Sequence, residues 1–157
     1  MRTCRMHRYA LASLLPLLAA CSAGEAPRAA QFVPPAPAVA ELDATLRARY
    51  NLLPTLSLDP AMARGYGIER AEGKALLLVA LRRDGADGME AGIDGQVHAQ
   101  ARDLSGRHQV VAMRRISSGE YVDHVGLVDI VPRDVVRVQV EAVVDGRRHT
   151  FDFQRNF

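Results

Sequence analysis

From Val135 to Val144 the chain alternates without a break. Val136, Val138, Val140, Ala142 and Val144 fall on one side, and Arg137, Gln139 and Glu141 on the other. A period of two marks a strand with one buried face, because successive side chains leave opposite faces of the backbone. Asp145-Gly146 follows, a dipeptide suited to the positive φ angles of a two-residue hairpin turn. Arg147 to Phe153 then returns with His149, Phe151 and Phe153 on one face. A one-residue slip in such a hairpin would move every inward valine into water. The C-terminal third is therefore committed to antiparallel β structure.

The pattern repeats upstream. Ala75-Leu76-Leu77-Leu78-Val79-Ala80-Leu81, within Lys74 to Arg82, is a continuous apolar run of strand length, as expected of a central strand buried on both faces. Gln96 to Arg102 alternates with Val97, Ala99 and Ala101 on one face. His108 to Ile116 and Glu120 to Ile130 read as two more strands, separated by turns at Asp103-Leu104-Ser105-Gly106, Ser117-Ser118-Gly119 and Val131-Pro132-Arg133-Asp134. A first strand is expected from about Leu46 to Leu53, with Pro54 limiting it to an edge or an end. One short helix interrupts the series. Asp59 is placed to cap it, Pro60 is its first residue and Gly67 closes it, so it runs over Pro60 to Tyr66 with Met62 and Tyr66 inward across the end of a sheet. About seven strands, with turns every eight to twelve residues, predict an immunoglobulin-like antiparallel β-sandwich; a small β-barrel is the alternative.

The N-terminus carries a different signal. Arg2, Arg5 and Arg8 precede an apolar run from Tyr9 to Ala20, which is the plan of a secretory signal and too short for a spanning helix, which needs ~20 residues. Ala19-Ala20-Cys21 resembles the bacterial lipobox, so residues 1–20 are expected to be removed and Cys21 acylated. Two or three acyl chains there would give a stable membrane anchor, where one would not. The alternative is an ordinary signal cleaved near Ala23 with Cys21 left free. Ser22 after the cysteine, with no aspartate, implies by resemblance to enterobacterial-type sorting the outer membrane, facing the periplasm. Residues 21–40, with Pro27, Pro34, Pro35 and Pro37, read as a tether, and residues 41–157 as the domain.

Charge and cysteine content narrow the function classes. Of 20 basic and 18 acidic residues, three arginines and no acid lie in residues 1–20, leaving 17 against 18. A near-neutral domain offers no electrostatic case for nucleic acid. Removal of Cys4 and acylation of Cys21 would leave no disulfide to the mature chain.

From Leu58 onward the string resembles a family of exported bacterial domains, domain of unknown function 4426. The residues that carry this are Leu58, Pro60, Ala63, Tyr66-Gly67-Ile68 and Arg70, then Lys74-Ala75-Leu76-Leu77. Gly95, Ala101, Leu104, Gly106, Arg115-Ile116, Gly119, Tyr121 and Phe151-x-Phe153-Gln154 continue it, so that the likeness covers roughly Ala48 to Phe157. The resemblance implies a small extracytoplasmic β-sandwich and carries over no catalytic residue. The family pattern has an asparagine in the strand after the helix, where this chain has Leu77-Leu78-Val79, so any role of that asparagine is absent.

Chemical constellations are weak throughout. His98 and His108, brought together across a hairpin and joined by Met62, Met89 or Met113, would suit copper, because imidazole and thioether are its preferred ligands. Asp123-His124 is a close pair whose side chains leave opposite faces of a strand. Asp84, Asp87, Glu90 and Asp94 form an acidic, glycine-rich loop without the EF-hand spacing, best read as solvated. Ser105, Ser117 and Ser118 lie in turns with no nucleophile elbow around them. Arg107, Arg114, Arg115, Arg147 and Arg148 are expected on a solvated face balanced by acids, with an anionic envelope surface as the alternative. The sequence thus points to a lipid-anchored accessory or binding module with an unknown envelope partner. No catalytic residue, cofactor site or metal site is assigned, and a small-ligand or copper-binding protein is the alternative.

Overall fold

The computed structural model describes residues 38–85 and 88–157. The expected signal segment, Cys21 and the tether up to residue 37 lie outside the described residues, as does Asp87 of the acidic loop.

Ten strands form two antiparallel sheets. They are β1 (Ala38–Glu41), β2 (Leu46–Pro54), β3 (Lys74–Asp84), β4 (Glu90–Gly92), β5 (Gln96–Arg102), β6 (His108–Val111), β7 (Arg114–Ser118), β8 (Tyr121–Asp129), β9 (Val135–Val144) and β10 (Arg147–Asn156). The first sheet has the order β1-β2-β3-β8-β7, with β4 added at the end of β3; the second has the order β10-β9-β5-β6. Neither sheet closes on itself, so the fold is a sandwich and not a barrel. Read as A-B-E-D and G-F-C-C′, with β1 outside A, these orders are the immunoglobulin arrangement.

The core lies between the sheets. Leu77, Val79 and Leu81 of β3 meet Val136, Val138 and Val140 of β9, and Ala99 and Ala101 of β5 fill the shorter distances. These aliphatic side chains occupy the centre without an inter-sheet disulfide, each contributing ~1.5–3 kcal/mol on burial. Tyr50, Phe151 and Phe153 stack at the β2/β10 margin, with ring centroids 4.4 Å apart for Tyr50–Phe153. Both Asp145 and Gly146 have positive φ, 50° and 74°, as the hairpin turn requires.

Three features depart from the sequence reading. First, Ala38, Val39 and Ala40, expected in the tether, pair with Tyr50, Arg49 and Ala48 as part of β1. Second, β4 sits in the expected loop after β3, a strand too short to leave a periodic signature. Third, the single strand expected over His108 to Ile116 is two strands in different sheets, β6 on β5 and β7 on β8. Ala112-Met113 carry the chain across, directly over Gly126 of β8. A Cβ on Gly126 would stand 2.5 Å from Val111 Cγ1, 2.8 Å from Met113 Sδ and 3.2 Å from the Ala112 carbonyl oxygen. The crossing needs a residue without a side chain beneath it.

The helix α1 (Pro60–Gly65) forms as its caps dictate. Asp59 Oδ1 accepts from Ala61 N–H at 2.7 Å and from Met62 N–H at 3.3 Å. Gly67, at φ 59°, completes a closing motif in which Ile68 N–H donates to the Ala63 carbonyl and Gly67 N–H to the Arg64 carbonyl. Its placement corrects the expectation. The helix lies on the outer face of the first sheet, not across its end. Ala63 points inward with Leu58 against Leu76 and Val125, while Met62 is 50% exposed. The small methyl of Ala63 lets the helix backbone approach the sheet. Tyr66 does pack inward, as expected. A buried Thr55 pins the far end of the segment: its hydroxyl donates to the Ala71 carbonyl at 2.8 Å and accepts from Ala71 N–H at 2.9 Å. Strand β3 is thus covered on both sides, which explains its unbroken apolar run. No helix among the described residues is long and apolar enough to cross a membrane.

Candidate binding face

The two outer faces of the sandwich differ. On the first sheet the segment from Leu58 to Ile68 covers the surface, and the polar groups beside it are engaged with one another. Tyr66 Oη donates to Asp123 Oδ2 at 3.1 Å. Arg82 donates to Asp123 Oδ1 at 3.3 Å and lies over the Tyr121 ring. Burial, with the Asp123 carboxylate as the next cause, pushes the Tyr66 phenol up to about 12. Arg114 donates to the carbonyls of Tyr66 and Gly67. This cluster holds the helix down on the sheet.

On the second sheet no segment among the described residues covers the outer face. The strand register sets its side chains in rows. Thr150, Glu141 and His98 form the first row, directly opposite one another across β10, β9 and β5. Asp152, Gln139, Gln100 and Val110 form the second. Gln154, Arg137, Arg102 and His108 form the third. A hollow of about 370 Å³ spans the first two rows, between His98, Gln100, Val110, Gln139, Glu141 and Thr150. Another of about 250 Å³ lies over the third row and is lined by Arg102, Asp103, Leu104, Val135, Arg137 and Gln154; the Asp103 carboxylate is already held by Ser105 and Arg107. Val110 is 85% exposed within this face.

The register also decides the proposed histidine pair. His108 stands opposite Arg102, whereas His98 lies four positions away along β5, ~13 Å at the usual strand rise. Sharing an outer face does not bring the two imidazoles together. Met113 packs against the core, Met62 is on the helix and Met89 lies in the loop before β4. The imidazole and thioether set considered for copper is therefore dispersed. No group of three or more His, Cys, Asp and Glu residues is arranged to hold a metal among the described residues. Asp123 and His124 do leave opposite faces of β8. His124 points into the sandwich, where its Nε2 lies 2.9 Å from the Gly95 carbonyl oxygen and its Nδ1 is buried without a partner. The Nε2 position therefore carries the proton.

The acidic loop is not simply solvated. Arg47 of β2 reaches Glu41 at 2.9 Å, Asp84 at 2.7 Å and Glu90 at 3.5 Å, and Arg49 meets Glu90 at 2.7 Å. The hydrogen bond from Arg49 is the main cause holding Glu90 below its ordinary value, and the one Arg47 donates to Glu41 is the main cause raising Arg47. Arg115 pairs with Asp94 and is the main cause lowering it. With the carboxylates of Asp84, Glu90 and Asp94 engaged by guanidinium groups, the described residues of the loop form no group arranged to hold a metal. Sequence reasoning missed the network because its arginines are remote in the chain, Arg47 and Arg49 on β2 some forty residues before the loop and Arg115 on β7 some twenty residues after it.

Ser105 and Ser117 bond to neighbouring side chains, and Ser117 and Ser118, expected in a turn, are the last residues of β7. Ser105 Oγ donates to Asp103 Oδ1 at 2.6 Å and is the first cause lowering the Asp103 carboxyl; Arg107 adds its backbone N–H and guanidinium. Ser117 Oγ accepts from Arg115. Of the arginines expected on a solvated face, Arg107 pairs with Asp103 and Arg148 with Glu141 at 3.3 Å. Arg102 and Arg137, which sequence reasoning did not single out, stand directly opposite each other, with no counter-ion among the described residues. Their alternation register was legible, but not their adjacency across two strands.

Residues 41–157 match a family model described as Domain of unknown function (DUF4426). The fold is similar to a crystal structure of a DUF4426 family protein from Pseudomonas aeruginosa PAO1, with a TM-score of 0.64 and 20% sequence identity over 77% of this chain and 94% of that one. No curated protein matches the chain.

Proposed function

The chain belongs to the DUF4426 family over residues 41–157, and from that premise we propose that it is a non-catalytic accessory or binding module of the bacterial cell envelope. In this reading lipid on Cys21 holds it in the membrane, at the outer membrane and facing the periplasm, and residues 22–37 give the domain reach. The observation that carries the binding role is the asymmetry of the two outer faces. One is covered by the Leu58–Ile68 segment and its polar groups are bonded to one another. The other carries no covering segment among the described residues and is concave in two places, with Gln100, Gln139, Arg102 and Arg137 exposed along it. A sandwich face left bare in this way supports recognition better than catalysis, because no acid, base or nucleophile on it is oriented by a third group.

The test is photo-crosslinking in intact cells from single positions on each face. A crosslinker at Gln100 or Gln139 is expected to capture one reproducible envelope protein. The same group at Arg64, on the exposed side of the helix, is expected to capture none. Capture should weaken when Cys21→Ala removes the acylation site, and the parent protein should incorporate labelled fatty acid that Cys21→Ala does not. Equal capture from both faces would refute the assignment of the binding surface, and absence of labelled lipid would refute the anchor.

A further inference from the structure

We propose that the open face of the second sheet seats a short extended peptide with free termini, its carboxylate at Arg102 and Arg137 and its ammonium toward Glu141 and Asp152. The inference rests on the reading of this face as the binding surface and adds the chemistry of the ligand.

Charge runs along the face in one direction. At one end Arg102 and Arg137 are cross-strand neighbours. Like charges directly opposite on a sheet are unfavourable, and neither guanidinium has an ion pair or a hydrogen bond among the described residues. Other arginines of the chain do have such partners, Arg47, Arg82 and Arg115 among them. A carboxylate set between two guanidinium groups relieves their repulsion and accepts their N–H donors two at a time. Gln154 flanks Arg137 on the other side and supplies a neutral donor.

At the other end the sign reverses. Glu141 shares only its Oε2, with Arg148 at 3.3 Å, and Asp152, one row nearer the arginines on β10, has no ion-pair partner among the described residues. Thr150 and His98 stand on either side of Glu141. Between the ends lies the second row, where Gln100 is directly opposite Gln139 and Asp152 stands beside Gln139 on β10. Each primary amide offers donors and an acceptor, the complement of a peptide unit. Val110 beside them gives an apolar contact for a small side chain.

The dimensions agree with this order. Glu141 and Arg137 are four residues apart on one strand, ~13 Å at the usual rise. An extended chain of four residues spans ~13–14 Å. The two hollows, of about 370 and 250 Å³, lie one after the other along the same axis.

The test uses the full chain carrying Cys21→Ala, so that no acyl chain contributes. Tetra-alanine with free termini is titrated while backbone amide shifts are followed by NMR. Saturable shifts confined to β5, β9 and β10 are expected. C-terminal amidation of the peptide should weaken binding about 1.5- to five-fold, the range for one charged contact at an exposed site. N-terminal acetylation should do the same. In Arg137→Ala, checked for an unchanged melting temperature, amidation should make no further difference. In Glu141→Gln, acetylation should make none. No saturable shift by about 10 mM, the limit of a meaningful weak contact, would overturn the proposal. So would equal binding of the free and blocked peptides, or displacement by inorganic phosphate alone with no peptide shift, which would indicate a plain anion site. Failure here with crosslinks from Gln100 intact would leave the binding face standing and remove only the ligand class. Failure of both would remove the face.

Discussion

Replacing Gly126 by alanine should destabilise the domain, although the same change usually helps a strand. Gly126 has an ordinary negative φ, so alanine is conformationally allowed there. Restricting the unfolded chain would favour the folded state by ~0.4–1 kcal/mol. Against this, the new methyl would stand 2.5 Å from Val111 Cγ1 and 2.8 Å from Met113 Sδ, and 3.2 Å from the Ala112 carbonyl oxygen. The first two atoms belong to side chains that can shift. The third belongs to the crossing backbone, whose position joins the two sheets. Overpacking of this kind costs ~1–3 kcal/mol, so the net loss should be about 1.5 kcal/mol, or roughly 5 °C in melting temperature for a domain of this size. Gly65→Ala is the contrast. Nothing lies within 4 Å of a Cβ placed there, so the helix should gain ~0.5–1 kcal/mol. With no tryptophan in the chain, urea unfolding followed by far-ultraviolet circular dichroism is the suitable assay. Val111→Ala combined with Gly126→Ala should lose less than the two changes separately, because the smaller side chain makes room for the methyl. A neutral or stabilising Gly126→Ala would refute the account of the crossing.

Thr55→Val keeps the shape but leaves the Ala71 amide and carbonyl unpaired in a buried site, and should cost ~1–3 kcal/mol in the same assay. Asp103, Glu90, Asp94 and Asp43 all sit below their ordinary carboxylate values in the folded protein. Their contribution is complete above the unfolded value near pH 4 and is lost as pH falls through the lower folded values, so the urea midpoint should drop in that acid range. Asp103→Asn should flatten this acid limb, with Ser105 and Arg107 losing their common acceptor. Tyr66→Phe removes the hydrogen bond to Asp123 and should cost ~0.5–1.5 kcal/mol. Absorbance at alkaline pH should show the loss of one tyrosine that ionises only at about 12.

Local pattern was enough to specify the strands that run through the middle of each sheet. The alternation of Val136 to Val144 and the apolar run of β3 are set by which faces are buried, and every one of those inward residues is buried. Asp59, Pro60 and Gly67 likewise fix the helix through backbone hydrogen bonds within a few residues. The margins were different. Whether Ala38–Glu41 is a tether or a strand depends on a free edge at β2, which no local signal records. The break at Ala112-Met113 depends on Gly126, thirteen residues downstream, leaving space beneath it. Met62 and Ala63 are equally apolar to the eye, and only the close approach of the helix to Leu76 and Val125 selects the smaller one.

The candidate site divides in the same way. Each of its residues sits on the polar phase of an alternating strand, and that much the sequence determined. Tertiary structure alone decided that Arg102 and Arg137 are neighbours, that His98 and His108 are not, and that the acids of the loop before β5 are engaged by Arg47, Arg49 and Arg115. The reason is physical. Periodicity tells which side of a strand a residue occupies, whereas charge pairing depends on register between strands, and register is set by turns, crossings and core packing far along the chain.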